Sequence, residues 1–172
     1  TNMEEMFNFA SSFDQDIEKW NTSKVTNMID VFYYAKSFDK DLSGWDTSNV
    51  TQMQGMFYRA ENLNQDFSKW KTSKVTNMNS MFYQNKSLDT DLSQWDASLV
   101  TDMESMFEGT DNFKSDLSEW NTENVTNMNL MFYDSNYDQD VSSWDVDNVI
   151  SWDNFASEAL SSNSDLIPDK FK

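Results

Sequence analysis

The chain has 172 residues, a net charge of −18, 38% apolar and 15% aromatic residues, and neither Cys nor His. That composition excludes thiol, imidazole and zinc–thiolate chemistry, and the sign of the charge argues against nucleic acid as a partner. No apolar run approaches the ~18 residues of a membrane span, so membrane insertion by this segment is not expected.

The chain is one phrase repeated. Trp stands at 20, 45, 70, 95, 120 and 144, and Val follows in register at 25, 50, 75, 100, 125 and 149. A period of this length marks a repeat array, in which no unit buries its own core and stacking must do so. The reading is a single solenoid of about six tandem repeats over 1–160, closed by a capping tail at 161–172. The opening Thr1-Asn2-Met3 matches Thr26-Asn27-Met28, the middle of a repeat, so the chain reads as a segment of a larger protein.

Taking the first half of a repeat, Val25, Met28, Val31, Phe32 and Ala35 have the i, i+3, i+7 spacing of a helical stripe. Thr26, Thr51, Thr76, Thr101 and Thr126 precede the stripes and suit an N-cap, with Glu4, Gln54 and Glu104 placed to complete capping boxes. A short helix is therefore predicted after each Thr. In the second half, Phe38, Leu42 and Trp45 and their copies read as a short extended segment, and Asp46-Thr47-Ser48 turns the corner. The predicted fold is an α/β repeat solenoid, a right-handed coil of about 25 residues per turn with a strand on one side and a helix on the other. Strands stack more closely than helices pack, so such a coil would bend into a horseshoe.

The charge is unevenly placed. Residues 1–86 hold 11 acids and 9 bases, whereas 87–169 hold 19 acids and one base, Lys114. Asp recurs at 16, 41, 66, 91, 116 and 140, with Asp14, Asp39, Asp89 and Asp138 two residues ahead of four of them. The first reading is that these side chains accept local backbone N–H groups. The alternative is calcium held between coils by Asp14, Asp16, Asp39, Asp41, Asp89, Asp91, Asp138 and Asp140, because a hard cation takes oxygen ligands. No other cofactor is expected.

Tyr33, Tyr58, Tyr83 and Tyr133 follow the core Phe and lie off the apolar stripe. Such a row can anchor a partner or fill grooves between coils, and these four are the candidate ligand-binding residues. Thr22, Thr47, Thr72 and Thr122 form a hydroxyl row, interrupted by Ala97, of the kind that orders ice on a flat face. Catalysis is not expected: an enzyme needs one pocket whose groups differ in pKa, and a repeat offers one environment many times.

The phrase Phe-Asn/Asp-x-Asp-Leu-Ser-x-Trp-Asp-Thr-Ser-x-Val-Thr-x-Met-x-x-Met-Phe-x-x-Ala, recurring over nearly all of 1–160, resembles the repeat of BspA-like leucine-rich-repeat bacterial surface proteins, a class also found among mycoplasmal surface lipoproteins. The resemblance implies a leucine-rich-repeat-like coil, extracellular exposure at the cell surface, and adhesion or protein binding without catalytic residues. Together these readings predict a non-enzymatic module that recognises a protein or glycan on a host or neighbouring cell. The alternative is a structural spacer of a larger surface protein.

Overall fold

A computed structural model describes all 172 residues. It corrects the predicted secondary structure. The repeats contain neither helix nor continuous strand; the helical segments are α1 (Glu158–Ser161) and two 3-10 turns, Ser164–Leu166 and Asp169–Phe171. The α/β, leucine-rich-repeat-like solenoid of strand and helix is therefore not the fold this chain adopts.

What stands in place of the helix is a run of tight turns. Asn27 Oδ1 accepts the N–H of Ile29, and Asn2, Asn77, Asp102 and Asn127 do the same two residues on, each an Asx turn. Between Met53 and Ala60, Met56 N–H returns to Met53 O at 3.2 Å and Ala60 N–H to Phe57 O at 3.0 Å. The third residue of each turn has positive φ, 59° at Gly55 and 53° at Arg59, as type II geometry requires. The same two slots are left-handed in the other repeats, at Asp30 and Tyr34, Ser80 and Gln84, and Ser105 and Gly109. Turns closing every three or four residues aim Val, Met, Phe and Ala inward with the spacing of a helical stripe. That shared spacing is why the sequence pattern reads as a helix.

The N–H groups that a helix would use internally go to the neighbouring repeat. Met53, Gly55, Phe57 and Arg59 donate to the carbonyls of Asn77, Asn79, Met81 and Tyr83 at 2.8–3.1 Å. Isolated parallel bridges mark this register at Asn2, Asn27, Gln52, Asn77, Asp102, Asn127 and Ser151. Thr26, Thr51, Thr76 and Thr101 do not cap. Their hydroxyls and those of their successors bond the carbonyl of the equivalent Thr one repeat back, as in Thr51 Oγ1 to Thr26 O at 3.1 Å. A helix needs 8–10 Å to its neighbour, twice the spacing of hydrogen-bonded chains. A main chain bonded directly to the next repeat leaves no room for one, and the predicted horseshoe loses its cause.

The second half of each repeat, expected to be a strand, has hardly any backbone ladder. Side chains join the tiers there. Trp45, Trp70, Trp95, Trp120 and Trp144 donate Nε1–H to carbonyls of the preceding tier, at 2.8–3.2 Å. Thr22, Thr47 and Thr72 each donate to a carbonyl of the next tier and accept an N–H from it. These threonines are buried, so the hydroxyl row is not a solvent-facing plane for ice.

One core of 45 apolar residues runs through all the tiers. Its axis is a stack of Phe32, Phe57, Phe82, Phe107 and Phe132, with ring centroids 5.6–5.9 Å apart and nearly parallel. In the first tier the equivalent slots are more open, Met6 at 47% and Trp20 at 42% exposed. At the other end Phe171 stacks on Trp152, and Lys170 Nζ donates to the carbonyls of Val146, Asp147 and Val149. Ser157 caps α1, its Oγ accepting from Leu160 N–H and donating to Tyr137 O.

Candidate functional site

The tyrosines occupy the slot just before the second left-handed residue of each repeat, so they flank the core Phe column on its outer side. Tyr33 and Tyr58 stack at 4.4 Å and 16°, Tyr58 and Tyr83 at 4.3 Å and 6°. Phe9 and Tyr34, one residue further on, extend the cluster by stacking on each other at 5.1 Å. Tyr33, Tyr34, Tyr58 and Tyr83 are half-buried, and Phe9 is 66% exposed. Burial pushes the Tyr33 and Tyr58 hydroxyls up from their ordinary pKa, with neighbouring tyrosines adding to the shift. These hydroxyls stay protonated at neutral pH and can donate hydrogen bonds.

Tyr133 does not join this stack. Glu108 holds the intervening slot, its carboxyl raised by burial while Ser105 Oγ donates to it at 2.6 Å. Tyr133 instead stands alone, 46% exposed, at the rim of an open groove of about 1020 Å³ lined also by Asp111, Asp134 and Glu158. Of the four candidate tyrosines, three are brought together and one is placed apart.

The sequence reading passed over Arg59 as a member of this site. It is the only arginine of the chain, and its guanidinium lies 5.4 Å from the Tyr34 ring centre and 5.8 Å from that of Tyr83. Its place directly after Tyr58, in the left-handed slot, was the available signal. Lys36 approaches the Tyr34 ring at 5.9 Å and pairs with Glu61 at 2.8 Å. Below the row, the Asp30 carboxylate reaches over Gly55, where an added Cβ would lie 1.9 Å from Oδ1. Burial, then Glu5 and Glu4, raises the Asp30 pKa.

The aspartates of the acidic row are engaged in loop construction. Asp16, Asp41, Asp91 and Asp140 each accept the N–H two residues ahead, at 2.7–3.1 Å. Bonds from Ser43, Ser93 and Ser142 hold Asp41, Asp91 and Asp140 below the usual carboxylate range. Asp14 accepts from Asp39 N–H and pairs with Lys40 at 2.6 Å, Asp39 accepts from Asn64 N–H, and Asp89 donates its own N–H to Asn64 Oδ1. Asp138 pairs with Lys114 at 3.0 Å. Nowhere do three carboxylates converge with the spacing of metal ligands.

A family model described as "Mycoplasma protein of unknown function, DUF285" fits residues 1–82 and again 65–170. No curated protein and no solved structure matches the chain. The two overlapping matches span the whole repeat region, and their tandem placement agrees with the repetition seen in the residues: the chain belongs to the DUF285 family of mycoplasma proteins.

Proposed function

We propose that this chain is a non-enzymatic binding module, displayed at the outer surface of the cell, that engages a molecule of a host or neighbouring cell through its tyrosine row. One observation carries the reading. Polar side chains of the repeat's second half are engaged in joining tiers or closing their own turns, whereas the half-buried Tyr33, Tyr58 and Tyr83 stand in a single stacked file beside the Phe column. Tyr supplies a large amphipathic contact at low entropic cost, and a stacked row has already lost its rotamer freedom before a partner arrives.

The likeness of the repeat phrase to BspA-like surface proteins supports placement outside the cell. The test is an array of host glycans and peptides probed with the intact chain and with Tyr58→Ala and Tyr83→Ala. Loss of the bound spots in both variants, with thermal unfolding midpoints unchanged, is the expected result. Spots retained at full strength would move the contact elsewhere. A chain that captures nothing would instead fit a spacer that lifts another domain off the surface.

A further inference from the structure

Arg59 is a half-buried charge with no carboxylate partner. Five lysines of this chain have a carboxylate partner within 4 Å; Arg59 has none. Its Nε is shielded from solvent and makes no hydrogen bond. Leaving a desolvated donor unpaired is unfavourable, and the aromatic rings on either side offset only part of that through cation–π attraction. The guanidinium is thus held in place, by Tyr34 and Tyr83, with part of its donor fork unused. With Nε shielded, a ligand carboxylate would meet the two terminal Nη groups, whose N–H donors fit it in two-point fashion.

The surroundings choose among carriers of that carboxylate. Residues 1–86, which include the row, have a net charge of −2, against −16 for 87–172. An acidic ligand is therefore repelled from the second half of the molecule and tolerated only along the first. A sugar ring stacking on an aromatic side chain needs an open ring face, and in this row the central Tyr58 has none, stacked at 4.4 Å by Tyr33 and at 4.3 Å by Tyr83. What remains accessible is ring edges, hydroxyls and one arginine, the side-chain makeup of the energetic centre of protein–protein contacts.

Resting on the binding role proposed above, we infer that the row receives an acidic peptide segment of a protein partner, one carboxylate of which pairs with the Arg59 guanidinium while the chain of the segment lies along Tyr33, Tyr58 and Tyr83.

The single arginine makes the test direct, because the labelled protein has one arginine Nε–H resonance. The intact chain is titrated with a glutamate-rich decapeptide, with the same peptide carrying Gln for Glu, and with an oligosaccharide of alternating glucuronic acid and N-acetylglucosamine. The expected result is movement of the Arg59 Nε–H and the Tyr58 and Tyr83 ring signals by the Glu peptide. Affinity should be at least about tenfold weaker for the Gln peptide and for Arg59→Gln, with Arg59→Lys between them. An immobile Arg59 signal at millimolar Glu peptide, or equal binding of the Glu and Gln peptides, overturns the inference. So does an oligosaccharide that moves Arg59 when the peptide does not, though the tyrosine row would then remain a binding site. Should Arg59→Gln fail to fold, the three titrations of the unaltered chain decide alone. Retained array binding by Tyr58→Ala and Tyr83→Ala would instead sink the underlying function, whatever Arg59 does.

Discussion

From Met53 to Arg59 four main-chain N–H groups bind the next tier; from Leu63 to Thr72 the tiers are joined by Asn64 Oδ1, Trp70 Nε1 and Thr72 Oγ1. The two halves of a repeat meet one requirement with different groups, and their sequences differ accordingly. Where the backbone makes the bonds, outward positions vary freely, as in Glu4, Ile29, Gln54, Asn79 and Glu104 at one slot. Where side chains make them, the slots are held more tightly, with Trp in all six copies of its slot and Asp or Asn in all but Lys114 of the Asn64 slot. Ala97 shows what an exception costs: it leaves unmade the pair of bonds that Thr22, Thr47 and Thr72 each make with the next tier, and of which Thr122 makes one. The variable face built on the backbone ladder is also the one that carries Arg59 and the tyrosines, so a ligand surface can change there without loosening the stack.

The sharpest way to break this contrast is at Trp95, which is 4% exposed and donates Nε1–H to Phe67 O at 3.2 Å. Trp95→Ala should cost about 3–5 kcal/mol through the cavity it opens between tiers. Trp95→Phe keeps most of the packing and should lose about 1 kcal/mol, because Phe67 O keeps the N–H of Trp70 at 3.0 Å and loses only its second donor. Urea unfolding of both variants measures the split. A Phe variant as stable as the parent would mean that ring packing alone ties this side together.

On the backbone side the corresponding weak point is Gly55. Any side chain there meets a φ of +59° and the Asp30 carboxylate. Gly55→Ala should destabilise by about 1–2 kcal/mol from the left-handed conformation, plus a smaller amount for displacing Asp30. The second part is separable: in the background of Asp30→Ala, Gly55→Ala should cost less, and the difference is the coupling energy between the two tiers. Equal costs in both backgrounds would show that Asp30 swings aside freely.

Much of this arrangement was legible beforehand and some was not, for definable reasons. The period and the buried slots could be read directly, because Val, Met, Phe and Trp recur where the core is. The conformation of Val25–Ala35 could not, since consecutive turns and a helix share a spacing of three to four residues. Left-handed backbone is usually announced by glycine, yet here only Gly55 and Gly109 announce it while Asp30, Tyr34, Arg59, Ser80 and Gln84 adopt it silently. The tyrosines were visible as outward-facing residues, but that Tyr33, Tyr58 and Tyr83 touch, and that Arg59 spans Tyr34 and Tyr83, depends on a register between residues some 25 apart. No local pattern carries that.

The smallest expected effect sharpens the comparison at the corner after Trp95. Asp96 Oδ1 accepts Ser98 N–H at 2.9 Å, and bonds from Ser98 hold its carboxyl below the usual range. Asp41, Asp46, Asp66, Asp91, Asp116 and Asp140 are lowered in the same way. A depressed folded pKa means that the contribution is complete above the unfolded value near 3.9 and disappears as the pH falls through the lower folded one. Asp30 and Glu108, raised by burial, work in the opposite sense: their contribution is present at acid pH and lost as the pH rises through their folded values. Asp96→Ala should therefore cost about 0.5 kcal/mol at neutral pH, a figure kept low because the side chain is exposed and screened, and should converge with the parent at the acid end. Asp96→Asn keeps an acceptor for Ser98 N–H and cannot titrate, so its difference from Asp96→Ala should not vary with pH. An Asp96→Asn variant as destabilised as Asp96→Ala at neutral pH would mean that Asp96 acts by its charge and not by closing its own turn.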